Sequence, residues 1–269
     1  MLCGRGYVIW LKISVLHEKQ TGAALFAPDL PPTCKKCRAR LPGVPYYACT
    51  HSKFFKTRYT IRTMVITYLG GQCFKVSFGD TTLAFNPISK DSSMTAVKFG
   101  ADVAFVTTNH EDFNGVAQVT YGEREPFVIS GPGEYEVGEV TARGFGVKTA
   151  YDGSEFYNTV YYVTLEGINM LFCGAMSDPK LDPKILEEFG DIDILFVPVG
   201  GGDVLDAAAA AELGVKLEAR VIIPMQYDAT SLKLFLKEVG AENVKPEEKL
   251  TVKKKDILTM EGQVVLLKA

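Results

Sequence analysis

The stretch MVITYLGGQCFKVSFGDTTLAFNP, residues 64–87, is the most regular part of the chain, because three short alternating segments follow one another in it with tight turns between them. Apolar and polar residues alternate over 65–69, over 73–78 and over 81–85. An alternation with a period of two is typical of half-buried strands, and the Gly79-Asp80 pair is a hairpin signal. The sequence therefore predicts a meander of strands here.

Strand-like segments continue downstream, and the last third of the chain alternates between helices and strands. The predicted strands cover 103–106, 126–130, 139–147, 159–165, 168–173, 192–197 and 220–223, and the predicted helices cover 183–189, 203–216 and 231–239. Residues 92–99 favour a helix, and 256–260 with 263–267 are expected to form a closing hairpin. This order of elements suits an α/β fold of two packed sheets with helices on their outer faces.

Three polar loops each follow a predicted strand, at 107–114, at 174–178 and at 226–228. Loops at the carboxyl ends of strands gather at one rim of a layered fold, where binding groups collect. We therefore expect a functional site to be built from these three loops.

Residues 1–63 and residues 64–269 differ strongly in charge. The first part holds eleven Lys and Arg residues against Glu18 and Asp29, a net charge of +9, whereas the whole chain carries −3. The second part is therefore strongly acidic. Such an asymmetry indicates two units, a basic cysteine-containing N-terminal extension and one folded domain.

The extension contains one motif with chemistry, a Cys-x-x-Cys pair followed by a Cys-x-His pair. Its members are Cys34, Cys37, Cys49 and His51. Three thiolates and an imidazole suit tetrahedral zinc, although the second pair is closer together than in common zinc sites. The alternatives are a flexible basic tail, or residues upstream of a natural start at Met64. Nucleic-acid binding through the extension is less favoured, because no aromatic-interleaved basic motif supports it.

The composition limits the remaining possibilities. The whole chain has three histidines, and His110 is the one that lies after residue 63. No segment approaches the ~18–20 uninterrupted apolar residues that a membrane-spanning helix needs. Cys73 and Cys173 fall in strand-like runs, which predicts buried, reduced thiols and favours a cytoplasmic setting.

Several stretches of residues 64–269 are similar to those of a known family. They are ITYLGGQCFKV at 66–76, Asn86-Pro87 in place of an aspartate-proline pair, the turn GPGEYEV at 131–137, VPVGG at 197–201 and VIIPMQYD at 221–228. The domain resembles the metallo-β-lactamase superfamily, and within it the branch of ascorbate-6-phosphate lactonase and related predicted zinc-dependent hydrolases. The resemblance implies an αββα sandwich and a hydrolase that uses zinc.

The same resemblance implies a two-zinc site, whose family motif His-x-His-x-Asp-His follows a strand. Aligned on VTTNHEDFNG at 106–115, the chain keeps His110 and Asp112. The family's other ligand positions are occupied, in chain order, by Gly71, Thr108, Phe113, Ala175 and Gln226. Phenylalanine and alanine cannot ligate a metal, and threonine and glutamine oxygens are weak donors for zinc.

Two good ligands fall short of the three that a catalytic zinc site typically keeps. We therefore predict a metal-poor or inactive homologue without a cofactor, which binds an unidentified small molecule or protein at the lost ligand positions. One alternative is an active metal-dependent hydrolase of a small ester, lactone or phosphorylated substrate, using His110, Asp112 and Asp178. Without metal, His110 and Asp112 could also act as a general base and its orienting carboxylate, although such a pair more often only braces a loop.

Two smaller features have structural interpretations. Asp203 follows three glycines and is expected to cap the helix that begins there, which leaves no free amides for a phosphate. The run Lys253-Lys254-Lys255 is expected to be a solvated turn.

Overall fold

The structure is a computed structural model that describes residues 63–269. This part of the chain contains thirteen strands in two sheets, four α-helices and one short 3-10 helix at Val116–Gln118. The predicted zinc site of the extension lies outside the described residues and stays a prediction, as does the domain boundary at Met64. None of the described helices has the length and apolar character needed to cross a membrane.

The first sheet has six strands in the order β12-β1-β2-β3-β4-β5. Their bounds are β1 Met64–Tyr68, β2 Phe74–Phe78, β3 Thr81–Phe85, β4 Val103–Phe105, β5 Phe127–Ile129 and β12 Leu250–Val252. The predicted meander is confirmed, since β1, β2 and β3 pair antiparallel in succession. β4 pairs parallel with β3, and β5 pairs parallel with β4.

The second sheet has seven strands in the order β13-β11-β10-β9-β8-β7-β6. Their bounds are β6 Gly133–Val137, β7 Val140–Tyr151, β8 Ser154–Leu165, β9 Ile168–Phe172, β10 Ile194–Pro198, β11 Val221–Met225 and β13 Gln263–Val264. β7 and β8 pair along twelve residues each, whereas β8 pairs with β9 only over Tyr161–Leu165. The far halves of β7 and β8 therefore extend beyond the sheet as a two-stranded arm.

The four helices are short, and three of them follow strands of the second sheet. Their bounds are α1 Pro183–Glu187, α2 Ala207–Lys216, α3 Ala229–Glu238 and α4 Lys254–Ile257. α2 follows β10, packs against it and contacts α3. Asp228 begins α3 with a reciprocal capping box, in which its carboxylate accepts from Ser231 N and its backbone N–H donates to the Ser231 hydroxyl.

Fully buried phenylalanines from both sheets meet between the layers. Phe85 of β3 stacks on Phe172 of β9 with ring centroids 4.9 Å apart. Phe74 of β2 meets Phe196 of β10 edge-to-face at 4.8 Å. Since burying one such side chain contributes about 1.5–3 kcal/mol, these pairs help to hold the two sheets together. The predicted αββα sandwich is confirmed.

Three local predictions for the loops and helix starts are wrong. Residues 92–99 form an irregular loop instead of a helix. The cap of α2 is Asp206, whose Oδ1 accepts from Ala209 N at 2.8 Å, whereas Asp203 lies before the helix and accepts from Asp152 N. The segment GPGEYEV is largely strand β6 instead of a turn, because Gly133–Val137 pairs with β7.

The end of the chain also differs from the expectation. Residues 256–260 do not form a hairpin with 263–267, because β13 pairs parallel to β11. Lys254 is not a solvated turn residue, since it starts α4 and its Nζ lies 2.5 Å from Oδ2 of the fully buried Asp193. A buried carboxylate needs an ion-pair partner, which fixes the position of this segment.

Candidate functional site

The site lies where the turn between β1 and β2 and the loops after β4, β9 and β11 come together. Gln226 N, after β11, donates to Gly71 O in the β1–β2 turn at 2.8 Å. Asn158 of β8 connects the other two loops, because its Oδ1 accepts from Thr108 Oγ1 and from Ala175 N. The expectation that the polar loops gather at one rim is therefore confirmed.

His110 and Asp112 lie side by side in the loop after β4. His110 Nδ1 is 3.5 Å from Asp112 Oδ2 and accepts from Asp112 N at 3.2 Å. The side chains are only 16% and 14% exposed. The carboxylate also accepts from the Ser92 hydroxyl at 2.5 Å and from the Tyr151 hydroxyl at 2.9 Å. The Asp112 carboxylate is thus held by two hydroxyl donors, and the Asp112 backbone N–H is bonded to His110.

Tyr151, at the end of β7, joins this loop to the loop after β11. Its hydroxyl donates to Asp112 Oδ2 and accepts from Gln226 Nε2 at 3.0 Å. Burial, and after it the charge of Asp112 and the hydrogen bond to it, raise the pKa of Tyr151 well above its usual value. The phenol therefore stays protonated and remains a donor. The two-stranded arm places this residue over the site.

Two buried amides continue the connection from Gln226. Its Oε1 accepts from Gln72 Nε2, and Gln72 Oε1 accepts from Asn86 Nδ2 at 2.8 Å. Asn86 Nδ2 also donates to Thr107 Oγ1, while its Oδ1 accepts from Thr107 N. Gln72 and Asn86 are completely buried. A polar chain of Ser92, Asp112, Tyr151, Gln226, Gln72 and Asn86 thus crosses the site, and we call it the polar chain below.

The position predicted for the family's third histidine is apolar. Phe113 is completely buried and forms one cluster with Tyr151, Ala175 and Val204. Ala175, at the position of the bridging carboxylate, is completely buried too. The His110 ring meets Tyr151 edge-on at 5.0 Å and lies 5.9 Å from Phe113. Aromatic rings therefore flank the one histidine of the site, while its Nδ1 faces Asp112 and its Nε2 lies 3.9 Å from Oδ2 of the exposed Asp152.

Gly71 and Asp178 complete the account of the predicted residues. Gly71 has φ +56°, and a Cβ there would approach Met94 Sδ to 2.8 Å, so the methionine fills the place of a side chain. Asp178 is exposed and its Oδ1 accepts from Lys180 N, as in a local turn. Within the described residues, Asp178 makes no hydrogen bond to the polar chain. His110, in contrast, contacts the polar chain at Asp112.

Beside the polar chain, a cavity of about 340 Å³ opens to solvent. Its lining includes Gly71, Met94, Gly200, Gln226 and Tyr227. Volumes of ~300–1,000 Å³ are typical of small-molecule sites. The arrangement can therefore accept a small ligand against the amide of Gln226.

The donors at this place do not suit a two-zinc centre. Such a centre needs several imidazoles and carboxylates around two ions. Within residues 63–269, no group of three or more His, Cys, Asp or Glu side chains is placed to hold a metal. Tyr151 stands between Asp112 and Gln226, where it joins them by hydrogen bonds instead of leaving them free for an ion.

The prediction that Cys73 and Cys173 are buried packing residues is confirmed. Cys73 and Cys173 are buried, and burial raises the pKa of each thiol to about 12. Sequence reasoning missed Gln72, Asn86 and Tyr151 as site residues. A signal existed for Asn86, because it precedes a proline at the place of the family's aspartate.

Comparison with known proteins identifies the family of this domain. A family model described as the beta-lactamase superfamily domain matches residues 65–226. A relative from Listeria innocua, named a UPF0173 metal-dependent hydrolase, is 25% identical over 205 residues, which cover 63% of this chain and 87% of the relative. A relative from Bacillus licheniformis with the same family name is 27% identical over 200 residues, covering 61% of this chain and 85% of the relative.

Solved structures of other proteins have the same fold. A Thermotoga maritima structure, provisionally assigned as a Zn-dependent hydrolase of the metallo-beta-lactamase superfamily, matches with TM-score 0.61 and 30% identity over 76% of this chain and 98% of its own. A Parabacteroides distasonis structure at 14% identity matches with TM-score 0.55 over 77% of this chain and 93% of its own, and shows the fold alone. The lactonase-like branch stays a prediction, because these relatives are named only as metal-dependent hydrolases.

Proposed function

The chain belongs to the β-lactamase superfamily, and we propose that this domain binds a small molecule or a protein at a site that no longer holds the family's two metal ions. The observation that carries the proposal is the bridge from Asp112 through the Tyr151 hydroxyl to Gln226. It supports a site held together by hydrogen bonds instead of by coordination. The buried Phe113 and Ala175 support the same view, since neither side chain can donate to a metal.

A second observation supports binding over catalysis. The His110 ring is flanked by Tyr151, by Phe113 and by Phe156, whose ring lies 5.8 Å away, and its Nε2 faces Asp152 Oδ2 at 3.9 Å. A general base must come within hydrogen-bond reach of the proton that it takes. The cavity beside Gln226 does not have His110 in its lining, so a ligand there would contact amide, backbone and tyrosine groups instead.

Metal analysis of the full chain, purified without chelators, tests the proposal. The cysteines of the extension could bind zinc by themselves, so the measurement needs a variant with Cys34→Ser, Cys37→Ser and Cys49→Ser. We expect this variant to hold less than roughly 0.1 zinc or manganese per chain by mass spectrometry of the metals. A stoichiometric metal content that persists in this variant and disappears on adding His110→Ala would overturn the proposal.

An active metal-dependent hydrolase is the second candidate, favoured by the close approach of His110 and Asp112 and by the names of the relatives. It predicts hydrolysis of p-nitrophenyl acetate, p-nitrophenyl phosphate or a γ-lactone in the presence of zinc or manganese. The binding proposal predicts rates equal to those of the His110→Ala variant. A rate that this substitution abolishes, with unchanged folding by circular dichroism, would favour the hydrolase.

A further inference from the structure

A groove lies at the end of the second sheet that is opposite to the candidate site. It is formed by one side of α2 along its length, the C-terminal end of α3, the start of β11 and the turn before β13, with a volume of about 1,020 Å³. Arg220 precedes β11 and lines the groove, whereas Gln226 follows the same strand and belongs to the site. We propose that this groove binds the apolar face of a basic amphipathic helix from a partner protein.

The floor and walls of the groove are apolar. Val215, near the end of α2, is 77% exposed, which is the largest exposed fraction among the large hydrophobic residues of the described chain. Val239 and Met260 are half-buried on the other side, and Ile222 lies beneath them. Exposed apolar surface rimmed by polar residues marks interaction sites, because water is displaced favourably from it.

The rim of the groove is acidic. Its four carboxylates are exposed, and none of them forms an ion pair within residues 63–269: Glu212, Glu218, Glu238 and Glu261. Lys216 is the exposed cation of the lining, while Arg220 is already engaged with Asp191 at 3.4 Å and with Asp193 at 3.5 Å. The excess of unpaired negative charge selects a partner with Lys and Arg residues beside its apolar face.

The walls of the groove indicate that the partner segment is helical. Two of them are helices, whose backbone groups are hydrogen-bonded within the helix, so an extended peptide would find no ladder along them. An amphipathic helix instead inserts apolar side chains at i, i+3, i+4 and i+7 into such a groove. A second copy of this domain fits poorly, because residues 64–269 are acidic as a whole and would repel each other here.

Fluorescence anisotropy on the full chain tests this with a defined probe, a fluorescein-labelled 14-residue peptide LKKLLKLLKKLLKL. The expected dissociation constant is on the order of 10 μM at low salt and rises with ionic strength, as for a charge-assisted helix-in-groove contact. Glu212→Gln with Glu238→Gln should weaken binding by about 10-fold. Glu134→Gln with Glu136→Gln on β6 is the matched control, since it removes the same charge from exposed positions outside the groove.

The apolar contact is tested separately. Val215→Lys adds a positive charge to the groove and should weaken binding by at least about 10-fold, whereas Leu234→Lys, at a 52% exposed position that does not line the groove, should change it less than about 2-fold. Thermal unfolding of each variant confirms folding. The proposal is overturned if the peptide does not bind, if the groove and control variants bind it equally, or if sedimentation shows a dimer that Val215→Lys dissociates.

Discussion

Replacing Tyr151 with phenylalanine should destabilise the domain by about 2–4 kcal/mol, because one buried hydroxyl serves two partners. The ring stays in place in the variant, so no cavity forms around the cluster that it shares with Phe113. Asp112 loses a donor at 2.9 Å and Gln226 loses an acceptor at 3.0 Å. Leaving a buried polar group unsatisfied costs about 1–3 kcal/mol, and more for a charged one. Asp112 keeps the Ser92 donor and is 14% exposed, which places the total below the sum of the two maxima.

Urea unfolding, followed by circular dichroism and tyrosine fluorescence, measures this loss. Tyr157→Phe is the matched control, because it removes the same hydroxyl from the same arm at a position that is 73% exposed. Its stability should stay within about 0.5 kcal/mol of that of the unmodified chain. A Tyr151→Phe variant that also stays within this range, with an unchanged m-value, would refute the role assigned to the polar chain.

Three further predictions follow from burial. Phe113→Ala should cost about 3–5 kcal/mol in urea unfolding, because the cluster cannot collapse around the space left, and a loss below about 1 kcal/mol would contradict the packing. Burial holds the pKa of Tyr151 and Tyr161 above the unfolded value of about 10. The free energy of unfolding should therefore be constant below pH 10 and fall as the pH rises above it, less steeply in the Tyr151→Phe variant. A urea midpoint that is flat to pH 11 would argue against this. Cys73 and Cys173, whose pKa is raised to about 12, should resist alkylation by iodoacetamide at pH 8 until urea unfolds the chain. Peptide mass spectrometry measures the labelling, and rapid labelling in the folded state would show that the thiols are accessible.

The sequence was most informative where structure is local. Alternation predicted β1, β2 and β3 within one or two residues. β1 and β2 bury every second side chain on the same face, whereas β3 buries its last three residues in succession. It failed at α4, since Lys254 is positioned by Asp193, which lies 61 residues earlier. No pattern around three consecutive lysines signals that one of them will satisfy a buried carboxylate.

Contacts between residues far apart in the sequence also limited the prediction of the candidate site. Resemblance to a family placed His110, Asp112 and Gln226 in one site, and hydrogen bonds do connect them. It did not identify Tyr151, which is 39 residues from Asp112 and 75 from Gln226. In the sequence Tyr151 is one aromatic residue at the end of a strand pattern. Its role depends on the length of the β7–β8 arm, which only the pairing of the two strands reveals.

The backbone at two members of the polar chain indicates how the site keeps its shape. Asn86 and Gln226 have φ of +41° and +47°, a left-handed conformation that costs a residue other than glycine of the order of 1–3 kcal/mol. Their side chains meet through Gln72, and Gln226 N donates to Gly71 O at 2.8 Å. These hydrogen bonds offset the backbone strain, because breaking them would leave completely buried amides without partners. The loops are therefore held in a strained arrangement by amide and phenol contacts.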